Sequence, residues 1–192
     1  MVGIAATGSG KTMAYVLPAL TNMIQSVSNS ESSNSNNSRG NHGCGRPYCL
    51  VLAPTRELAQ QINDEVNRCV GNKDNERKIV NGSRSGLDWI RSEVIYGGVA
   101  KLPQARALRA LDSGIGNMKV GVGVIVATPG RLLDHVQDGV VQLADVQVLV
   151  LDEADRMLDL GFEKDIRNII AQVRKFVLVY YLCNNYNVFK GL

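Results

Sequence analysis

The stretch Ala5-Ala6-Thr7-Gly8-Ser9-Gly10-Lys11-Thr12 ends in a lysine and a threonine carried on a glycine-rich turn. A turn of this composition lets the backbone N–H groups of Thr7, Gly8, Ser9 and Gly10 converge on a phosphate. A helix starting at about Gly10 adds the positive end of its dipole. Lys11 then brings a full charge to the β- and γ-phosphates of a nucleotide, and Thr12 offers a hydroxyl to Mg²⁺. The pattern G-x-x-x-x-G-K-[ST] is met except at its first glycine, where Ala5 stands. Ala5–Thr12 is therefore a candidate cofactor-binding segment.

Such a loop needs an acidic partner for the metal. Asp152 directly follows the apolar run Val148-Leu-Val-Leu151. A strand there puts its carboxylate at the sheet edge where the loop lies. Glu153, next in the chain, can orient or deprotonate a water for attack on a γ-phosphate. Lys11, Asp152 and Glu153 are thus the candidate catalytic residues, and Thr12 and Asp152 the candidate metal ligands. Capping of a helix N-terminus accounts for either acid alone. It accounts poorly for the pair, because the phosphate loop demands a partner of this kind. A guanine-nucleotide site would need N-K-x-D, and the nearest match, Asn72-Lys73-Asp74-Asn75, lacks the final aspartate. A small-molecule kinase would leave the motifs described below without a role.

These residues must be held by alternating strands and helices. Val2–Ala5 is a strand stub, and Gly10–Gln25 carries Met13, Val16, Leu17, Leu20 and Ile24 at helical spacing, with a kink expected at Pro18. From Ser26 to Gly45, 15 of 20 residues are Ser, Asn or Gly, so 26–45 is expected to be a disordered insertion. Tyr48–Ala53 is an apolar strand, and Arg56–Val70 an amphipathic helix. Residues 71–92 are polar and mixed, a second loop insertion. Glu93–Tyr96 is a strand ending at Gly97-Gly98, and Leu102–Leu111 a helix. Val120–Ala127 is a strand, after which Pro129 opens a helix. Val146–Leu151 is a strand, and Lys164–Arg174 the last clear helix. This alternation means an α/β doubly wound parallel sheet in which the loop after each strand emerges at one edge. Every candidate residue falls in one of those loops.

The chain has 192 residues and a net charge of +3, enough for one domain and too little charge to argue by itself for a nucleic-acid partner. No apolar run reaches the length of a membrane span. The four cysteines read as free thiols in a reducing compartment. The alternative, zinc on His42, Cys44 and Cys49, lacks a second ligand arm.

The Asp152-Glu153-Ala154-Asp155 run, taken with Ala5–Thr12, resembles the DEAD-box family of ATP-dependent RNA helicases. The resemblance extends from residue 2 to about 174. It adds Pro54-Thr-Arg-Glu-Leu-Ala59, Gly97-Gly98, Thr128-Pro-Gly-Arg131 and the run Arg156–Phe162, in the family's order. It implies a RecA-like P-loop domain over residues 1–182, with an unstructured tail at 183–192. It further implies ATP and Mg²⁺ as cofactors, and Asp155 as a link between the nucleotide site and the rest of the machine. The residues matching the RNA-contacting motifs are Pro54, Thr55, Arg56, Gly97, Gly98, Thr128, Pro129, Gly130 and Arg131. Their chemistry agrees. Arginines pair with phosphates, threonine hydroxyls and helix N-termini bond phosphate oxygens, and none of these contacts reads base sequence. The same residues could instead cap helices and shape turns.

Three departures from the family pattern are expected to limit activity. The adenine-reading glutamine motif, the S-A-T motif and the second helicase domain with its arginine fingers do not occur in these 192 residues. Phe176–Leu182 has the composition of one further strand, and the tail after it looks unrelated to the family. The expectation is an ATP·Mg²⁺- and RNA-backbone-binding domain that does not unwind RNA alone. A non-enzymatic RNA- or partner-binding fragment, or an inert truncated product, is the alternative. Wording around Val141–Ile170 resembles nucleolar ribosome-assembly helicases, which suggests an intracellular site in nucleolus, nucleus or cytoplasm. Nothing in the sequence bears on oligomeric state.

Overall fold

The computed structural model describes residues 2–4, 10–31, 45–71, 90–111, 123–173 and 178–183. Their strands are β1 (Val2–Ile4), β2 (Cys49–Leu52), β3 (Ser92–Ile95), β4 (Val124–Ala127), β5 (Val148–Leu151) and β6 (Leu178–Cys183). They form one parallel sheet in the order β1-β6-β5-β2-β4-β3. The helices are α1 (Lys11–Glu31), α2 (Arg56–Val70), α3 (Lys101–Leu111), α4 (Pro129–Gln137), α5 (Ala154–Asp159) and α6 (Glu163–Gln172).

The central strands β2, β4 and β5 are buried at every position, as parallel strands covered on both faces must be. Alternate residues serve two separate cores. Cys49, Val51, Val124, Val126, Val148 and Val150 pack with Tyr15, Val16, Leu20 and Met23 of α1 and Ala59, Ile62 and Val66 of α2. Leu50, Leu52, Ile125, Ala127, Leu149 and Leu151 pack on the other face with Leu108, Leu132, Met157, Ile166 and Ile169 from α3 to α6. Each buried aliphatic side chain contributes about 1.5–3 kcal/mol relative to leaving it in water.

Register places the functional loops. Leu52 is level with both Ala127 and Leu151, and Ile95 is level with Ala127. The chain therefore leaves β2, β3, β4 and β5 at one edge and at one height.

The sheet order separates two strands that flank the candidate nucleotide site. The strand before the phosphate loop and the strand before Asp152 are not neighbours, because β6 pairs with both β1 and β5 and lies between them. The apolar segment late in the chain fills that slot, as its composition predicts, running Leu178–Cys183. Element ends also differ. Helix α1 continues without a break past Pro18 and on to Glu31, six residues into the stretch expected to be disordered. Pro18 costs it one backbone donor, and the polar residues beyond Gln25 extend an already nucleated helix cheaply. Gly45 is bridged to Val141, with its N–H on the Val140 carbonyl at 2.8 Å. At the second insertion, Gly71 caps α2 while Ile90 is wholly buried and Ser92 opens β3, so this insertion is shorter than expected at both ends. Cys183, assigned to the tail, pairs with Ile4 in the sheet. The remainder of the two insertions (32–44 and 72–89) and of the tail (184–192) lies outside the described residues. Helix α5 was not expected. Its six residues are too few for a periodic signal.

Of the proposed zinc ligands, Cys49 lies in β2 facing the core, and burial pushes its thiol up to about 12. That is the behaviour of an inert packed thiol. His42 and Cys44 lie outside the described residues.

Candidate functional site

Asp152 follows β5 and is only 4% exposed. Its backbone N–H donates to the Leu52 carbonyl at 2.9 Å, which extends the β2–β5 ladder by one bond and fixes its Cα. Its carboxylate Oδ2 accepts from the Tyr15 hydroxyl of α1 at 2.9 Å. Thr12 stands one helical turn before Tyr15 on the same face of α1. The Tyr15–Asp152 bond joins the N-terminal part of α1 to the carboxyl end of β5. Burial first, then the charge of Asp152, pushes the Tyr15 phenol far above its ordinary value, so it remains a donor.

The structure therefore ties the start of α1, which carries Thr12, to Asp152 through a residue that sequence reasoning did not single out. A signal existed. Tyr15 is three residues after Thr12, on the same helical face, and a tyrosine in an apolar stripe has a hydroxyl that must be satisfied when buried. Lys11 is the first residue of α1, and Gly10 before it has φ +79°, a left-handed turn that favours glycine. The Ala14 N–H bonds the Gly10 carbonyl at 3.2 Å, so the helix starts there, with the donors of its first turn left for other partners. Ala5, Ala6, Thr7, Gly8 and Ser9 lie outside the described residues.

Glu153 is the only non-glycine residue with positive φ among the described residues, at φ 50° and ψ 48°. The chain passes from β5 into α5 with no loop to absorb the reversal, and Glu153 takes the turn. A left-handed non-glycine residue costs about 1–2 kcal/mol, a strain retained where surrounding contacts over-determine it. Those contacts are visible on either side: Asp152 is locked to β2, and Ala154 is wholly buried in the core. Asp155 stands half-buried in the first turn of α5.

Beyond β2, β3 and β4 the same edge carries the other candidate residues. Thr55 caps α2, its hydroxyl accepting from the Leu58 N–H at 3.3 Å. Pro54 is buried, and Arg56 is exposed and paired with Glu57 at 3.1 Å. A backbone hydrogen bond first, and that pairing second, lower the pKa of the Glu57 carboxyl. Thr128 occupies the equivalent position before α4, but its side chain makes no cap bond. Pro129 follows as the first helical residue, with Gly130 half-buried behind it.

Arg131 turns inward. Its Nη1 and Nη2 both donate to the Val99 carbonyl at 3.0 Å, Nη1 also reaches Gln104 Oε1 at 3.2 Å, and Nε lies 3.5 Å from Asp134. Gln104 reaches back to the Tyr96 carbonyl at 3.1 Å. The exposed turn containing Gly97 and Gly98 (φ +82° at Gly98) is thereby pinned at both ends, by α4 and α3. Buried His135 closes the network, its Nε2 at 3.3 Å from Gln104 Oε1. The sequence motifs named Arg131 and the two glycines without indicating that one holds the turn containing the others. Gln104 and His135 were not anticipated.

The arrangement is an edge with an acid–hydroxyl pair at one end and two helix N-termini, a glycine turn and an exposed arginine at the other. The chain is similar to known proteins over nearly its whole length. The DEAD/DEAH box helicase family matches residues 1–185. DEAD-box ATP-dependent RNA helicase 30 of Arabidopsis thaliana is 45% identical over 174 residues, covering 91% of this chain and 23% of that protein. ATP-dependent RNA helicase DBP2 of Chaetomium thermophilum is 46% identical over 174 residues, covering 91% of this chain and 25% of its own length. The chain thus spans about a quarter of these relatives. Among solved structures, the yeast DEAD-box splicing factor Prp28 superposes with a TM-score of 0.69 at 29% identity, covering 98% of this chain and 37% of that one. A DEAD box protein from the hyperthermophile Methanococcus jannaschii gives 0.63 at 32% identity, over 96% of this chain and 39% of that one. With the fold, the ordered motifs and nearly the whole sequence in agreement, the chain belongs to the DEAD/DEAH box helicase family.

Proposed function

We propose that this chain is the ATP- and RNA-backbone-binding domain of an RNA helicase, with the nucleotide held between the phosphate loop and Asp152. The observation that carries the reading is the hydrogen bond from Tyr15 to Asp152, which ties the start of α1, directly after the loop, to the acid. A buried carboxylate and a threonine hydroxyl are both hard oxygen donors, which suits Mg²⁺ shared with phosphate oxygens. Mg²⁺, when bound, would neutralise charge on the β- and γ-phosphates. Ala5–Thr12 would wrap the phosphates, Lys11 would add its charge, Asp152 and Thr12 would hold the cation side, and Glu153 would position the attacking water. Asp155 would pass the nucleotide state on to the rest of the protein.

The RNA backbone would lie along Pro54–Arg56, Gly97-Gly98 and Thr128–Arg131. Support comes from their common height on the sheet edge and from the N-termini of α2 and α4 that end there. An intracellular setting, nucleolar ahead of cytoplasmic, belongs to the same proposal and is tested by imaging the tagged protein.

Thermal unfolding with ATP·Mg²⁺ tests the core of the reading. A ligand at 100 times its Kd adds about 2.7 kcal/mol of stability. Lys11→Ala is expected to remove the shift, while Glu153→Gln keeps it and lowers any turnover by about 10²–10⁴-fold. The absence of a shift in the unsubstituted chain at millimolar nucleotide would overturn the reading in favour of a non-enzymatic fragment.

A further inference from the structure

We propose that Tyr15 is a positioning residue for the nucleotide site: its hydroxyl, carried on α1 one turn after Thr12, holds the Asp152 carboxylate in the arrangement that receives Mg²⁺. The inference rests on the nucleotide reading above and adds to it a residue outside the motifs that carry the family likeness.

The hydroxyl is not needed for packing. Tyr15 is 1% exposed and belongs to the core cluster that also holds Ala19, Val51, Ala53 and Val150, where phenylalanine would bury the same ring. The oxygen instead bridges two elements 137 residues apart in sequence, at 2.9 Å from Asp152 Oδ2. The Asp152 backbone is already fixed by its bond to Leu52, so what remains to be set is the rotation of the side chain. A bond from a ring itself locked in the core restrains that rotation.

Direction matters as well. Tyr15 gives its proton to Asp152 Oδ2, so that oxygen is oriented by a neutral donor rather than by a competing cation. Loss of the Tyr15 hydroxyl removes that bond and loosens the rotation of the Asp152 carboxylate. Groups that orient a metal-binding carboxylate in this way typically contribute 10–100-fold to metal affinity.

The test is the Mg²⁺ dependence of binding of a fluorescent ATP analogue, compared for the unsubstituted chain, Tyr15→Phe and Asp152→Asn. Tyr15→Phe is expected to raise the half-saturating Mg²⁺ concentration about tenfold, with Asp152→Asn raising it at least as far. Melting of each protein without nucleotide or Mg²⁺ separates this from a packing role, since packing would lower the melting temperature and leave the Mg²⁺ midpoint in place. A crystal structure of the unsubstituted chain loaded with ATP·Mg²⁺ does not depend on the variant folding, and is expected to retain the Tyr15–Asp152 bond. Binding by the unsubstituted chain with the same Mg²⁺ midpoint in Tyr15→Phe would overturn the inference alone, as would a loaded structure with that bond broken. No binding by the unsubstituted chain would overturn both the nucleotide reading and the inference built on it.

Discussion

The two ends of the sheet edge are built by opposite means. At the β5 end, the acid is buried, joined to a distant helix by one hydroxyl and followed by a glutamate in a left-handed turn. At the β3–β4 end, the glycine turn and Arg56 are exposed, and several bonds to main-chain carbonyls hold the turn from behind. The difference matches the proposed ligands. A small cation needs a few oxygens fixed to a fraction of an ångström, which a dry, low-dielectric setting provides. A polyanionic chain gains affinity from many modest contacts, each replaceable.

The largest expected effect at the exposed end separates its two arginines. Arg131 is 12% exposed and close to Asp134, whereas Arg56 is 52% exposed. Arg131→Ala releases the Val99 carbonyl and lets the glycine turn move. We expect RNA affinity to fall about tenfold with little change in its salt dependence, because few counterions are released at a charge already paired inside the protein. Arg56→Ala should instead flatten the slope of log affinity against log salt by about 1. Binding of a single-stranded RNA by fluorescence anisotropy over a salt series checks both. Equal loss of slope in the two variants would make both ends of the comparison depend on exposed charge, contrary to the geometry.

Next in size is a contrast between two threonines at equivalent places. Thr55 caps α2 through its hydroxyl, and Thr128 precedes α4 without a cap bond. Thr55→Ala is expected to cost about 1 kcal/mol of stability, the usual worth of an N-cap. Thr128→Ala should cost well under that in urea unfolding, and its loss should appear in RNA binding instead. Matching stability losses would show that both threonines serve the fold, as the turn-and-cap reading of the sequence allows.

Much of this edge was legible before any coordinates. Helix α2 runs Arg56–Val70 as its pattern predicts, because Thr55 and Gly71 punctuate it. Gly71, at φ +81°, donates to the Arg68 carbonyl at 3.4 Å. Pro129 opens α4 for the same local reason. Continuous runs such as Val148–Leu151 announced strands buried on both faces. What stayed hidden is what depends on distant partners. Strand order places β6 between β1 and β5, and no local pattern encodes that. The Tyr15–Asp152 bond joins residues far apart in sequence. Gly123 is a further case: a Cβ there would lie 2.6 Å from Ile90 Cγ2 and 3.2 Å from Met23 Sδ, a crowding visible only after folding. The direction in which Arg131 points was hidden for the same reason, since its acceptor belongs to another loop.

The smallest expected effect lies behind the exposed turn, at His135. Its ring is buried against Gln104, its Nδ1 has no hydrogen-bond partner, and Lys101 and Arg131 lie close enough to repel a charge, partly offset by Asp138 and Asp134. Burial first, and those cations second, lower its pKa in the folded chain. In the unfolded chain it titrates near the ordinary value of about 6.5. Above that value both states are neutral and His135 exerts no pull on stability. As pH falls below it, the unfolded state binds the proton first, so stability declines until the folded pKa is reached. The decline cannot exceed about 1.4 kcal/mol per pH unit for one group. His135→Gln should therefore reduce the drop in melting temperature between pH 7.5 and 5.5 while leaving the Mg²⁺ dependence of nucleotide binding at the other end of the edge unchanged. A shift in that Mg²⁺ dependence would mean that the two ends are mechanically coupled through the sheet, and the contrast between them would have to be redrawn as one continuous site.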